Sequence, residues 1–142
     1  MLKSIQKARE VFKNINFEII VTDTRSEQND IKQIKEILSK FNVPNKLIEI
    51  NLDDLKEKII GNYTEGKFAN MANLYTSLAL TKENSKDLIY FVEDDYIHTK
   101  NCILEMLFSY EKLSTLLSTE IFLLPADYPY LYTKSNPTRI IL

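Results

Sequence analysis

Apolar residues recur at helical spacing from the first residues. Leu2, Ile5, Ala8, Val11 and Phe12 fall on one face, so the chain is expected to open with a helix. Phe17 to Thr22 then reads as a strand that stops at Asp23. Ser26 is the expected N-cap of a second helix with Ile31, Ile34, Ile37, Leu38 and Phe41 on its apolar face. Pro44 and Asn45 interrupt the chain before a short strand, Lys46 to Ile50. Leu52 to Ile60 is short, charged and of helical character. Lys67 to Leu80 is expected to be a helix with Met71, Leu74, Tyr75 and Leu78 inward.

The next run is apolar without alternation. Ile89 to Val92 reads as a strand covered on both faces, as in a parallel sheet, and it ends in Glu93-Asp94-Asp95. A helix from about Lys100 to Leu117 and a last strand, Glu120 to Leu124, complete the pattern. Strands alternating with helices imply an α/β fold: a mostly parallel sheet with helices on both faces, in the manner of a Rossmann-like half-domain. The 142 residues suffice for one domain. The chain closes on Arg139-Ile140-Ile141-Leu142, apolar residues without a polar tail, and the expectation is an incomplete domain.

Composition narrows the function. With 18 basic and 20 acidic side chains the net charge is −2, which gives no electrostatic ground for nucleic-acid binding. Cys102 is the single cysteine, which excludes a disulfide framework and a thiolate metal cluster and suits a reducing compartment. No apolar run approaches bilayer length and the N-terminus has no signal-peptide pattern, so a cytoplasmic setting is expected, with attachment at the inner membrane face as its variant. Two glycines, Gly61 and Gly66, are too few for a dinucleotide-binding glycine fingerprint.

Ligands of open α/β sheets bind beyond the carboxyl ends of the strands, where Asp23, Glu93, Asp94, Asp95 and Asp127 all fall in this reading. Three successive carboxylates repel one another, and a divalent cation would relieve that repulsion; Glu93 and Asp95 would point the same way along an extended segment. The plainer reading is acids solvating a strand end. Thr22-Asp23-Thr24-Arg25-Ser26 is a strand-to-helix turn of the kind that holds a base, ribose or phosphate, or simply an ordinary turn. Lys67, Asn70 and Asn73 lie close to one face at the start of a helix, where they could meet phosphate or sugar hydroxyls, or only solvent. His98, the one histidine, follows the acids as a candidate ligand or a surface side chain. The tyrosine- and proline-rich stretch Leu124 to Tyr132, containing Asp127, would suit stacking on a sugar, and equally a packed loop.

These segments together resemble nucleotide-sugar glycosyltransferases of the GT-A fold, nearest to the large family-2 group. Phe17 to Ser26 is similar to their second strand and nucleoside-holding Asp-x-x-Ser loop. Asn70-Met71-Ala72-Asn73 resembles the helix before their acidic motif, and Ile89 to Asp95 resembles the strand and Asp-x-Asp motif, with Glu in the first place. Phe91 to His98 joined to Leu124 to Pro129 looks like a subgroup of bacterial glycosyltransferase-like proteins. The resemblance covers most of this chain but only the middle of the family's domain, and Thr81 to Lys86 lengthen the turn before the acidic strand.

The resemblance implies an inverting, metal-dependent transfer of sugar from a nucleotide-diphosphate sugar to an acceptor hydroxyl on a glycan, a lipid-linked acceptor or another molecule. Thr22, Asp23, Ser26, Lys67, Asn70, Asn73 and Asp94 would contact the donor. Glu93, Asp95 and His98 would hold Mn²⁺ or Mg²⁺, and Asp127 would meet the acceptor or act as base. One alternative is a fragment that binds nucleotide and metal without turnover. Another is a receiver-like Mg²⁺-binding switch domain, which needs an acid pair after its first strand and a Lys after its last. Here Asp23 is single and Leu124-Pro125-Ala126 offers no Lys.

Overall fold

The computed structural model describes residues 1–84, 87–93 and 95–124. The fold is mixed α/β, with a two-stranded parallel sheet and four α-helices among the described residues. The chain divides into two compact units: Met1–Ile15 with the chain from Asp95 onward, and Asn16–Asp94.

The first unit is built on α1 (Leu2–Val11) and α4 (Cys102–Leu117). The i, i+3 spacing of Ile5 and Ala8 is realised as burial, with Ser4 buried beside them. The rings of Phe12 and Phe108 meet in a tilted arrangement with centroids 4.9 Å apart. The N-cap of α4, Asn101, makes no side-chain capping bond. Ser4 supplies the missing acceptor instead, its Oγ taking the backbone N–H of Ile103 at 2.8 Å. At the other end Ser118 adopts a left-handed conformation, φ 53° and ψ 37°, and its N–H closes the helix onto the carbonyls of Ser114 and Thr115.

Beyond α4 no strand forms over Glu120 to Leu124. Ile121 is buried, Phe122 and Leu124 are exposed, and the Tyr110 hydroxyl donates to the Glu120 carboxylate.

In the second unit β1 (Ile19–Asp23), α2 (Gln28–Ser39) and β2 (Asn45–Glu49) form a β-α-β crossover. The strands are parallel, with Ile19 opposite Asn45 and Asp23 opposite Glu49. The sheet continues briefly past β2, where the Ile50 N–H donates to the Asp23 carbonyl at 2.6 Å. Ile31 and Leu38, two turns apart on α2, are buried as their spacing demands, whereas Ile37 is half exposed and Phe41 lies beyond the helix end. A 3₁₀ turn, η1 (Leu52–Leu55), is capped by the Asn51 side chain, which accepts from the Asp53 N–H at 3.2 Å. Leu55, Ile59 and Ala72 form a core cluster lined by Ile50, Leu52 and Phe68.

The long helix α3 (Glu65–Asn84) includes Thr81 and Lys82, which the sequence placed in a lengthened turn. Its orientation reverses the expectation. Ala69 and Ala72 are buried, Asn73, Thr76, Ser77 and Leu80 are half-buried, and Met71, Leu74, Tyr75 and Leu78 are exposed. The inward side is thus the small and hydrogen-bonding one, which lets the backbone approach closely and pairs its hydroxyl and amide groups with Thr22 of β1 and Thr24 just beyond it.

Ile89 to Val92 is not a strand. Leu88, Ile89, Phe91 and Val92 are exposed, and the sheet described contains β1 and β2 alone.

Candidate functional site

The carboxyl end of β1 gathers the described candidates that touch one another. Asp23 ends the strand, and its carboxylate binds the turn that follows. Oδ2 accepts the Ser26 N–H at 3.1 Å and Oδ1 accepts the Ser26 hydroxyl at 2.5 Å. Ser26 is therefore not the N-cap of α2. That position belongs to Glu27, and the Ser26 hydroxyl is drawn back to the strand end.

α3 meets the strand end and this turn through two side-chain contacts. Thr22 Oγ1 and Ser77 Oγ lie 3.2 Å apart, and Asn73 Nδ2 donates to Thr24 Oγ1 at 3.2 Å. Asn73 Oδ1 is buried without a hydrogen-bond partner among the described residues. Exchanging the amide's O and N would let Thr24 donate, but would leave the nitrogen as the orphan instead. At the helix start Arg25 pairs with Glu65 at 3.1 Å; both side chains are half exposed or more, and such a pair contributes little to stability.

Lys67, Asn70 and Asn73 do not share a face. Positions three apart drift by roughly 60° on a helix. Asn73 accordingly turns inward to Thr24, while Asn70 and Lys67 are exposed. Sequence reasoning missed Thr24, Arg25, Glu65 and Ser77 as partners in this cluster. Ser77 was within reach, since it lies one turn beyond Asn73 on the same face.

Of the acidic motif, Glu93 and Asp95 are among the described residues. Glu93 is exposed and belongs to the unit of β1, whereas Asp95, also exposed, belongs with α1 and α4, as does His98. His98 is half-buried, with Nδ1 3.3 Å from the Tyr96 carbonyl. Asp94 and Asp127 lie outside the described residues, as does the loop from Pro125 to Tyr132. Among the described residues no three His, Cys, Asp or Glu side chains gather closely enough to hold a metal ion. The described acids therefore do not by themselves fit a divalent-cation site.

Cys102 is a half-buried free thiol. Burial raises its thiol above the ordinary value and the nearby Glu105 adds to this, with the Met1 ammonium opposing. No described helix is long and apolar enough to cross a membrane. Comparison of the chain with protein-family models, curated proteins and solved structures returned no match.

Proposed function

We propose that the chain is a glycosyltransferase-type protein of the GT-A kind that holds a nucleotide-diphosphate sugar at the carboxyl end of β1. The observation that carries this reading is the hydrogen bond from Asn73 to Thr24, two residues 49 positions apart. It joins two of the sequence segments on which the resemblance was built, the strand-turn of Phe17 to Ser26 and the helix carrying Asn70 to Asn73. They lie at the end of a parallel strand, where α/β sheets place their ligands.

In this reading Asp23 contacts the ribose or base. The bond to Ser26 holds its carboxylate in one orientation before the ligand arrives, which lowers the ordering cost of binding. Thr22 and Ser77 tie the strand end to α3. Divalent-cation binding at Glu93 and Asp95, and the transfer of sugar to an acceptor hydroxyl with inversion, rest on the sequence pattern alone.

The test is incubation of the full chain with UDP-, GDP- and CMP-sugars, each with and without Mn²⁺, while following release of free nucleotide. Release dependent on Mn²⁺ and lost in Asp95→Ala supports the transferase reading. Binding without release assigns the chain to nucleotide holding alone. Absence of binding by all three donors rejects the proposal.

A further inference from the structure

We propose that the outward face of α3 is a docking surface for an anionic lipid bilayer, a role independent of the nucleotide-sugar reading. The helix buries its small and polar side and presents its large apolar side chains outward. Met71 is 37% exposed, Leu74 50%, Tyr75 41% and Leu78 50%. With about 100° of rotation per residue, these four fall in one band about 100° wide.

Two lysines close that band at its ends. Lys67 and Lys82 project within the same sector, about 22 Å apart along the axis at about 1.5 Å per residue. Both are exposed, and neither forms an ion pair among the described residues. The acids of the helix, Glu65 and Glu83, fall roughly 120° from Met71, off the band. The stripe therefore combines an apolar centre with positive charge at both extremities and no negative charge between them.

That charge pattern selects the occupant. A second copy laid antiparallel about the Leu74–Tyr75 midpoint sets Lys67 against Lys82, and a parallel copy sets each lysine against itself; both pairings are repulsive. A bilayer rich in anionic headgroups meets both lysines at once, wherever they fall, and takes the four apolar side chains below the headgroup level. Long lysine stems suit that arrangement, with the ammonium reaching up to the phosphate layer. Tyr75 matches the interfacial preference of aromatic rings with a polar tip. As no described helix is long and apolar enough to span, the contact is one of lying on the surface.

Sedimentation of the full chain with phosphatidylcholine vesicles, with and without about one third phosphatidylserine, tests the proposal. The expected result is binding to the anionic vesicles roughly thirty-fold tighter than to the neutral ones, weakening as salt rises. Lys67→Gln with Lys82→Gln should remove about that thirty-fold preference. Leu74→Ser with Leu78→Ser should abolish binding to both vesicle types, and as both sites are exposed its melting temperature should match the parent's. Equal affinity for the two vesicle types, or no binding to either, overturns the proposal. So does binding retained in the leucine variant, or a concentration-dependent dimer that the leucine variant dissolves. If the leucine variant does not fold, the lysine variant decides: an unchanged anionic preference rejects the proposal.

Discussion

Ser4 on α1 accepts the backbone N–H of Ile103, in the first turn of α4, across 99 positions of sequence. The acceptor is 1% exposed and supplies from another helix what the N-cap Asn101 does not. A buried N–H without a partner costs about 1–3 kcal/mol. Ser4→Ala is expected to destabilise the fold by about 1–2 kcal/mol in urea denaturation. A loss below a few tenths of a kcal/mol would show that water replaces the hydroxyl without cost.

Thr24 and Asn73 offer a test of the candidate site's internal wiring. Thr24→Val removes the acceptor and leaves a half-buried amide with neither end paired, at a cost of about 1–3 kcal/mol. Thr24→Val combined with Asn73→Leu replaces both partners by apolar groups and should recover part of that loss. Denaturation of the two singles and the double gives the coupling, expected at about 0.5–3 kcal/mol. Additivity would mean that the bond does not form in solution.

The C-terminal end of α4 carries a stabilising substitution. Ser118 is held at φ 53°, where a Cβ costs about 1–2 kcal/mol and glycine none. Glycine also gives more freedom to the unfolded chain, which takes back part of the gain. Ser118→Gly is expected to raise stability by up to about 1 kcal/mol, read as a higher denaturation midpoint.

What the residues revealed and what they concealed follow from how local each signal is. The apolar repeats behind α1, α2 and α4 needed only their own neighbours, and those elements form within a few residues of the expected bounds. α3 formed too, but with the other face inward, because a helix's orientation depends on what it packs against. Thr22 on β1 and Thr24 in the turn after it offered hydroxyls to Ser77 and Asn73, and not an apolar surface to Leu74 and Leu78. Ile89 to Val92 looked like a buried strand because apolar runs predict burial only once a pairing edge exists. In the candidate site Asp23 was readable as a lone strand-end acid, whereas the pairing of Arg25 with Glu65 required tertiary distance.

Cys102 predicts a response to alkaline pH. Burial, reinforced by Glu105, raises the folded thiol's pKa above the unfolded value of 9.0. The neutral thiol is the form favoured by folding, so this stabilisation is complete below the unfolded pKa. It is lost as pH rises through the higher folded value. Iodoacetamide should alkylate the native chain more slowly at pH 9 than the urea-unfolded chain, measured by intact mass. Cys102→Ser should flatten the alkaline fall in melting temperature. Equal alkylation rates would contradict the assignment.

The central claim is that the end of β1, together with Asn73 on α3, is where a nucleotide is held. Backbone amide NMR of the ¹⁵N-labelled chain, titrated with nucleoside diphosphates and their sugars, tests it most directly. The account predicts saturable shifts centred on Asp23 to Ser26 and on the Asn73 side-chain amide, lost in Asp23→Ala. A spectrum that does not move, or whose changes centre on other residues and persist in that variant, would contradict it.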